Sequence, residues 1–351
     1  MKVLFIEDEE HFKGFEIDID SSYVVFSGYW KLSLGIISLK DFDMVVSTIQ
    51  HSRLSNKIIK KANFLNITTV LIVDGIFEWN NSYNNKYLNS LGMPLYSENI
   101  YDYVYLCSTP IIRKYLKGNN DVRYLGFHNK RIFSFTAEDE DEDKDKDKDK
   151  DKVLISFANT PFFNIVEKNN LYSLITKLTD ALNNIGVDYD FRIFNNDIVT
   201  ELGIECSKNI ISSDFRDIVK NYKAIISTPS SVCLDAMGYN IPVAQLYYRD
   251  TPQSFQTPWT IHQGIDIENT LLSLINPEME KIRYQSTVYA EHILGSIDLL
   301  SLESFNSSAK REHSYDCNLS FIEPEVIKRV VYQKIKKKPK LQKILKTVFK
   351  R

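Results

Sequence analysis

Between Ala224 and Leu246 an apolar run, Ala224-Ile225-Ile226, leads into Ser227-Thr228-Pro229-Ser230-Ser231. A helix-like stretch carrying Asp235 follows and stops at Gly238, before a second apolar run from Pro242. Thr228 is expected to cap this helix with Pro229 in its first position. The amides of Ser230, Ser231 and Val232 would then lie open at a helix start, where anions, usually phosphate, are held. A second hydroxyl- and amide-rich stretch, Asn159-Thr160-Pro161, follows the apolar run Val153–Ala158. Asp74 and Glu78 follow the run Thr68–Val73. A carboxylate at such a strand end can deprotonate a hydroxyl or attack an electrophilic carbon. The same Asp74-Gly75 pair also suits a simple turn with the Asp as cap. Arg249 and His262 flank a turn-rich stretch that could close over a ligand and donate to its phosphate or carboxylate.

Other chemistries lack their residues. No Gly-x-Gly-x-x-Gly follows a strand and there is no phosphate-binding Gly-rich Lys loop, so neither a dinucleotide cofactor nor an NTPase is expected. A Gly-x-Ser-x-Gly elbow is missing. The six histidines and four cysteines make no metal-ligand spacing, and no metal or cofactor is expected. The widely spaced cysteines suit a reducing compartment.

To position these residues the chain alternates strand-like and helix-like stretches. In the first half the strands are Val3–Ile6, Asp43–Thr48, Thr68–Val73 and Tyr103–Ser108, with helices at Leu54–Phe64 and Pro110–Leu116. In the second half strands at Val153–Ala158, Tyr189–Phe194 and Asn209–Ile211 join the run at Ala224. Helices are expected at Leu171–Ile185, Phe215–Asn221, Asn269–Ile275 and Ser286–Leu294. Short apolar runs alternating with helices imply parallel sheets covered on both faces, whose ligands sit at the carboxyl ends of the strands. The fold class is α/β, with two Rossmann-like domains facing a cleft.

Residues 137–152 are Glu-Asp and then Lys-Asp repeats that cannot bury apolar area, so they read as a solvated linker between domains at 1–136 and 153–320. The tail, 321–351, differs. From Lys328 to Arg351 there are eleven Lys or Arg and no acid; with a net charge of −3 for the whole chain, the remainder carries −14. That acidic body argues against nucleic acid. Leu341, Ile344, Leu345 and Val348 fall on one helical face among lysines. Such a basic amphipathic helix is expected to lie on an anionic membrane surface. The N-terminal run turns acidic at Glu7 and reads as a strand rather than a signal peptide. A cytoplasmic protein, peripheral on the inner face of the cell membrane, is therefore expected.

The stretch Thr228-Pro229-Ser230-Ser231-Val232-x-Leu234-Asp235-Ala236-Met237-Gly238-x-x-Ile241-Pro242-Val243, set in the second of two Rossmann-like halves, resembles the GT-B glycosyltransferases. It is shared with nucleotide-sugar 2-epimerases. The resemblance implies that Ser230 and Ser231, with Ser227 and Thr228, hold donor phosphate and that Asp235 touches the ribose. Asn159, Thr160, Arg249 and His262 join them as donor-binding residues, and Asp74 and Glu78 line the acceptor cleft as the catalytic carboxylates. The stretches Asp74–Trp79 and Ala158–Phe163 are also similar to bacterial capsule and lipopolysaccharide transferases, including retaining β-Kdo transferases that use CMP-Kdo. The implied activity is metal-independent transfer of a sugar from a nucleotide-activated donor to a lipid-linked or polysaccharide acceptor. A nucleotide-sugar 2-epimerase and a non-catalytic nucleotide-binding scaffold are the alternatives.

Overall fold

Apolar runs of four or five residues become strands here because helices or a second sheet cover both of their faces. The computed structural model describes residues 1–12, 15, 17–18, 23–49, 52–86, 100–107, 114, 123–126, 151–292, 297–299 and 302. The first half contains β1 (Lys2–Phe5), α1 (Glu9–Phe12), β2 (Ile17–Asp18), β3 (Tyr23–Val25), α2 (Gly28–Ser33), β4 (Met44–Ser47), α3 (Arg53–Phe64), β5 (Thr68–Ile76), α4 (Trp79–Asn84), β6 (Tyr103–Cys107) and β7 (Arg123–Gly126). The second half contains β8 (Val153–Ser156), α5 (Ile165–Asn184), β9 (Tyr189–Arg192), α6 (Asn196–Glu201), α7 (Phe215–Val219), β10 (Ala224–Ser227), α8 (Val232–Gly238), β11 (Val243–Leu246), β12 (Trp259–Ile261), α9 (Ile267–Ile275), α10 (Met279–His292) and β13 (Ile297–Asp298). Of the helix expected at 110–116 only residue 114 is described, and the linker residues 137–150 and the basic tail lie outside the described residues.

The first sheet runs β3-β1-β4-β5-β6-β7 and the second β12-β11-β10-β8-β9. Every neighbouring pair is parallel. Both orders step to one side of the first strand and then reverse to the other, the doubly wound α/β plan. The reversal falls between β1 and β4 in the first sheet and between β8 and β10 in the second. Residues 297–298 return to the first half, where β13 pairs with β2 and the Tyr105 hydroxyl donates to Asp298 O at 2.7 Å.

Strand alternation divides the core. Val3, Phe5, Met44, Val46, Tyr103 and Tyr105 of the first sheet join Leu154, Ile225 and Val243 of the second in one continuous apolar cluster. Leu4, Val45 and Val104 face a separate first-half cluster. Val153, Ile155, Ala224, Ile226, Ala244 and Leu246 face α5 and α9 on the outer side of the second sheet. The halves are thus joined by shared core as well as facing each other.

Several boundaries differ from those read in the sequence. β5 runs through Asp74 and Gly75 to Ile76, so Asp74-Gly75 is no turn. α5 starts at Ile165 rather than Leu171, because Asn164 caps it by accepting from Glu167 N at 2.9 Å. Asn209–Ile211 is no strand: a single bridge pairs Asn209 with Phe191. α10 begins at Met279 rather than Ser286. Trp259–Ile261, read as part of a closing loop, is the outer strand of the second sheet, with Trp259 and Ile261 buried.

Candidate functional site

The crevice at a strand-order reversal is where a doubly wound sheet leaves room for a ligand, since the loops on either side diverge to opposite faces. In the first sheet this crevice is filled by its own side chains. Glu7, buried at the end of β1, accepts from Ser47 Oγ at 2.8 Å and from Thr48 N at 3.1 Å. In the second sheet the crevice lies between the loop after β8 and the turn after β10, and it gathers most of the residues singled out above.

Ser156 and Ser227 are in register at the two strand ends. Thr228 N donates to Ser156 O at 3.1 Å, and Thr228 Oγ1 accepts from Ala158 N at 2.7 Å. Thr228 therefore does not cap α8. Its hydroxyl ties the two loops together, and helix geometry begins only at Val232. Ser227 donates its hydroxyl to Thr228 O at 2.8 Å. Both side chains are fully buried, which makes them the scaffold of the turn and removes them from direct contact with a ligand. The half-buried Ser230 and Ser231 are the residues the turn presents. Ser230 Oγ accepts from Val232 N at 3.4 Å, while the amides of Ser230 and Ser231 meet no acceptor among the described residues. Across the crevice, Asn159 and Thr160 are exposed.

Below the turn the environment is dry. Burial pushes the Cys233 thiol up to about 12. Asp235, one turn into α8, is half-buried. Burial, then the nearby Asp235 charge, raise the Tyr289 phenol well above its ordinary value. Gly238 ends α8 in contact with the same ring: a Cβ there would lie 2.8 Å from the Tyr289 hydroxyl oxygen.

The loop after β5 reaches across from the first half. Glu78 caps α4, accepting from Asn80 N at 3.2 Å and Asn81 N at 2.6 Å. It also accepts from Arg249 Nη2 at 2.9 Å. The capping role read for Asp74 thus belongs to Glu78. Asp74 lies where the pairing of β5 with β6 slips between Ile72 and Ile76, next to Gly75 at φ +94°. This is a bulge, a device that re-aims a strand end and that glycine's positive φ permits. The Asp74 side chain is outside the described residues.

Arg249 follows β11 and is the pin of the cleft. Its side chain is 3% exposed. Nη1 donates to Pro161 O at 3.2 Å, and the guanidinium lies 5.4 Å from the Tyr248 ring centroid and 5.9 Å from that of Phe163. Tyr248 donates its hydroxyl to the same Pro161 carbonyl. Sequence reading missed the second contact between the halves: buried Asn80 donates from Nδ2 to buried Glu167 Oε1 at 2.6 Å. Its only local signal is Asn164-x-x-Glu167, the spacing of a capping box. His262 is apart from this group. It follows the outer strand β12, where Nδ1 accepts from Gly264 N at 3.1 Å, two strand positions from β10.

No protein-family model and no curated protein matches this chain. Among solved structures it is similar to a Staphylococcus aureus MnaA–UDP co-structure, at 17% identity over 80% of each chain with a TM-score of 0.48. It is also similar to the wall teichoic acid polymerase TagF, at 11% identity over 84% of each chain with a TM-score of 0.46. A Rickettsia africae glycosyltransferase matches at 14% identity over 83% of this chain and 84% of its own, with a TM-score of 0.41.

Proposed function

We propose that the protein is a GT-B-type glycosyltransferase that holds a nucleotide-activated sugar on its second half. It would pass the sugar to a lipid-linked or growing polysaccharide acceptor of the capsule or lipopolysaccharide class. The observation that carries this reading is the strand-order reversal between β8 and β10. There Asn159 and Thr160 are exposed opposite the half-buried Ser230 and Ser231, in the position where doubly wound sheets take ligands. The first sheet's corresponding crevice is occupied by the Glu7–Ser47 hydrogen bond.

In this reading the Ser230 and Ser231 amides and hydroxyls, with Asn159 and Thr160, hold the donor phosphate. Neutral donors of this kind stabilise a leaving phosphate by preorganisation, without a metal or cofactor. Asp235 takes the ribose. Asp74, at the bulge ending β5, is the general base for the acceptor hydroxyl. Glu78 keeps the cleft-lining place assigned to it but acts as a positioning group, because Asn80 N, Asn81 N and Arg249 already use its oxygens. His262 can serve only a donor portion that extends past β11. The basic tail holds the protein at the inner face of the cell membrane.

Thermal melting against UDP, CMP and GDP tests the nucleotide site, since a ligand at 100 times its Kd stabilises by about 2.7 kcal/mol. One nucleotide is expected to stabilise; stabilisation by none sinks the reading and leaves the scaffold alternative. Ser230→Ala/Ser231→Ala should raise the donor KM, and transfer should persist in EDTA. Epimer formation from UDP-GlcNAc without transfer would replace the transferase with the epimerase.

A further inference from the structure

Arg249 brings a positive charge to the cleft, yet it arrives neutralised. Its partner Glu78 lies 2.9 Å away across the two halves, and a second buried carboxylate, Glu167, belongs to the same cluster through Asn80. Lys168, beside Glu167 in sequence, is drawn elsewhere, 2.6 Å from Glu201. Around Arg249 the described side chains thus offer one guanidinium against two carboxylates. A buried ion pair of this kind attracts no further anion, and an added carboxylate there would meet net negative charge in a dry setting.

The cluster still has hydrogen-bonding capacity. Arg249 Nε is buried with no partner among the described residues. Buried polar atoms left open are uncommon enough in folded proteins to need an explanation. A ligand hydroxyl oxygen would supply the acceptor. The half-buried Phe163 ring beside the guanidinium adds an apolar face.

The position fits the portion of the donor beyond the phosphate. Ala158 is bonded to the Thr228 turn and Pro161 to Arg249. Those two loop residues are three apart, a span of at most about 11 Å. That is the reach of a phosphate and one sugar ring.

We propose that Glu78 and Arg249, with Phe163, form a subsite that selects an uncharged sugar ring and rejects one bearing a carboxylate. The proposal rests on the nucleotide-sugar reading above and replaces the acidic Kdo that the sequence resemblance implies. Glu78 is the specificity residue: it cancels the charge that would otherwise recruit an acidic sugar.

The test uses donors that differ only at this point. After the nucleotide is found by melting, the full-length protein is titrated with a hexose and the matching uronic acid on that nucleotide, for example UDP-glucose and UDP-glucuronic acid. The hexose should bind at least about tenfold more tightly, the effect of one repulsive charge contact. Glu78→Gln frees the Arg249 charge and should shrink or invert that ratio. Glu78→Gln/Arg249→Gln, which removes both charges, should leave uronate affinity no better than that of the native protein. Equal or tighter uronate binding by the native protein, or a ratio unmoved by Glu78→Gln, overturns the proposal while leaving nucleotide binding intact. Failure of every nucleotide to bind removes the underlying reading and the proposal with it.

Discussion

The Thr228 hydroxyl accepts a 2.7 Å hydrogen bond from the Ala158 amide and so joins the two loops that border the second sheet's crevice. Both ends of this bond lie at strand ends adjacent in the sheet. The bond ties the loop that carries Asn159 and Thr160 to the turn that carries Ser230 and Ser231.

Thr228→Val keeps the shape of this fully buried residue but leaves the Ala158 amide without its acceptor. The expected loss is about 1–3 kcal/mol of stability, read as a lower urea midpoint, with a raised donor KM as the loops part. Thr228→Ser retains the oxygen and should restore the KM. If Thr228→Val matched the native protein in both measurements, the bond would have no role in shaping the site.

Glu167 accepts three bonds: from Asn80 Nδ2 at 2.6 Å and Asn164 Nδ2 at 2.8 Å on one oxygen, and from Phe163 N at 2.9 Å on the other. Glutamine has one acceptor oxygen and one donor group, so in Glu167→Gln an N–H must face another N–H. A loss of about 2–3 kcal/mol is expected. Denaturant unfolding followed separately by Trp79 and Trp259 fluorescence in single-tryptophan variants will show whether both halves lose stability together. An unchanged midpoint would mean that the Asn80–Glu167 contact does not hold the halves.

Stability should fall in alkali. Burial raises Cys233 from 9.0 to about 12 and moves Tyr101 and Tyr248 upward as well. A group raised on folding keeps its proton in the native protein while the unfolded chain loses it. Its contribution is therefore complete below pH 9 and is lost progressively as pH rises through 12. Melting temperature recorded from pH 8 to 12 should decline above 9, and a flat profile would contradict the burial of these groups. Iodoacetamide at pH 8 should modify exposed Cys206 and spare buried Cys107 and Cys233 in the native state.

The basic tail supplies a separate expectation. Eleven Lys or Arg between Lys328 and Arg351 contribute about 1 kcal/mol each near an anionic bilayer. Removal of 328–351 should release the protein from anionic vesicles in sedimentation and leave transfer to a soluble acceptor intact. Equal sedimentation of the truncated form would end the anchoring proposal.

By itself the sequence located the strands read at 3–6, 43–48, 68–73, 103–108, 153–158 and from 224, because strands buried on both faces appear as unbroken apolar runs, but it did not show that β5 continues through Asp74-Gly75 to Ile76. It also marked the Thr228–Ser231 turn as the hydroxyl-rich strand end of the second half. Local pattern could not reveal that Thr228 ties one loop to another instead of capping a helix, since its partner Ala158 is 70 residues away. Nor could it show that Glu78 and Arg249, 171 residues apart, neutralise one another. β12 escaped notice because a three-residue strand has no period of its own and is held by its parallel pairing with β11. Strand order, and with it the reversal between β8 and β10, is decided by which edges pair and which faces share a core. Those choices depend on packing between distant segments, and only the tertiary structure displays them.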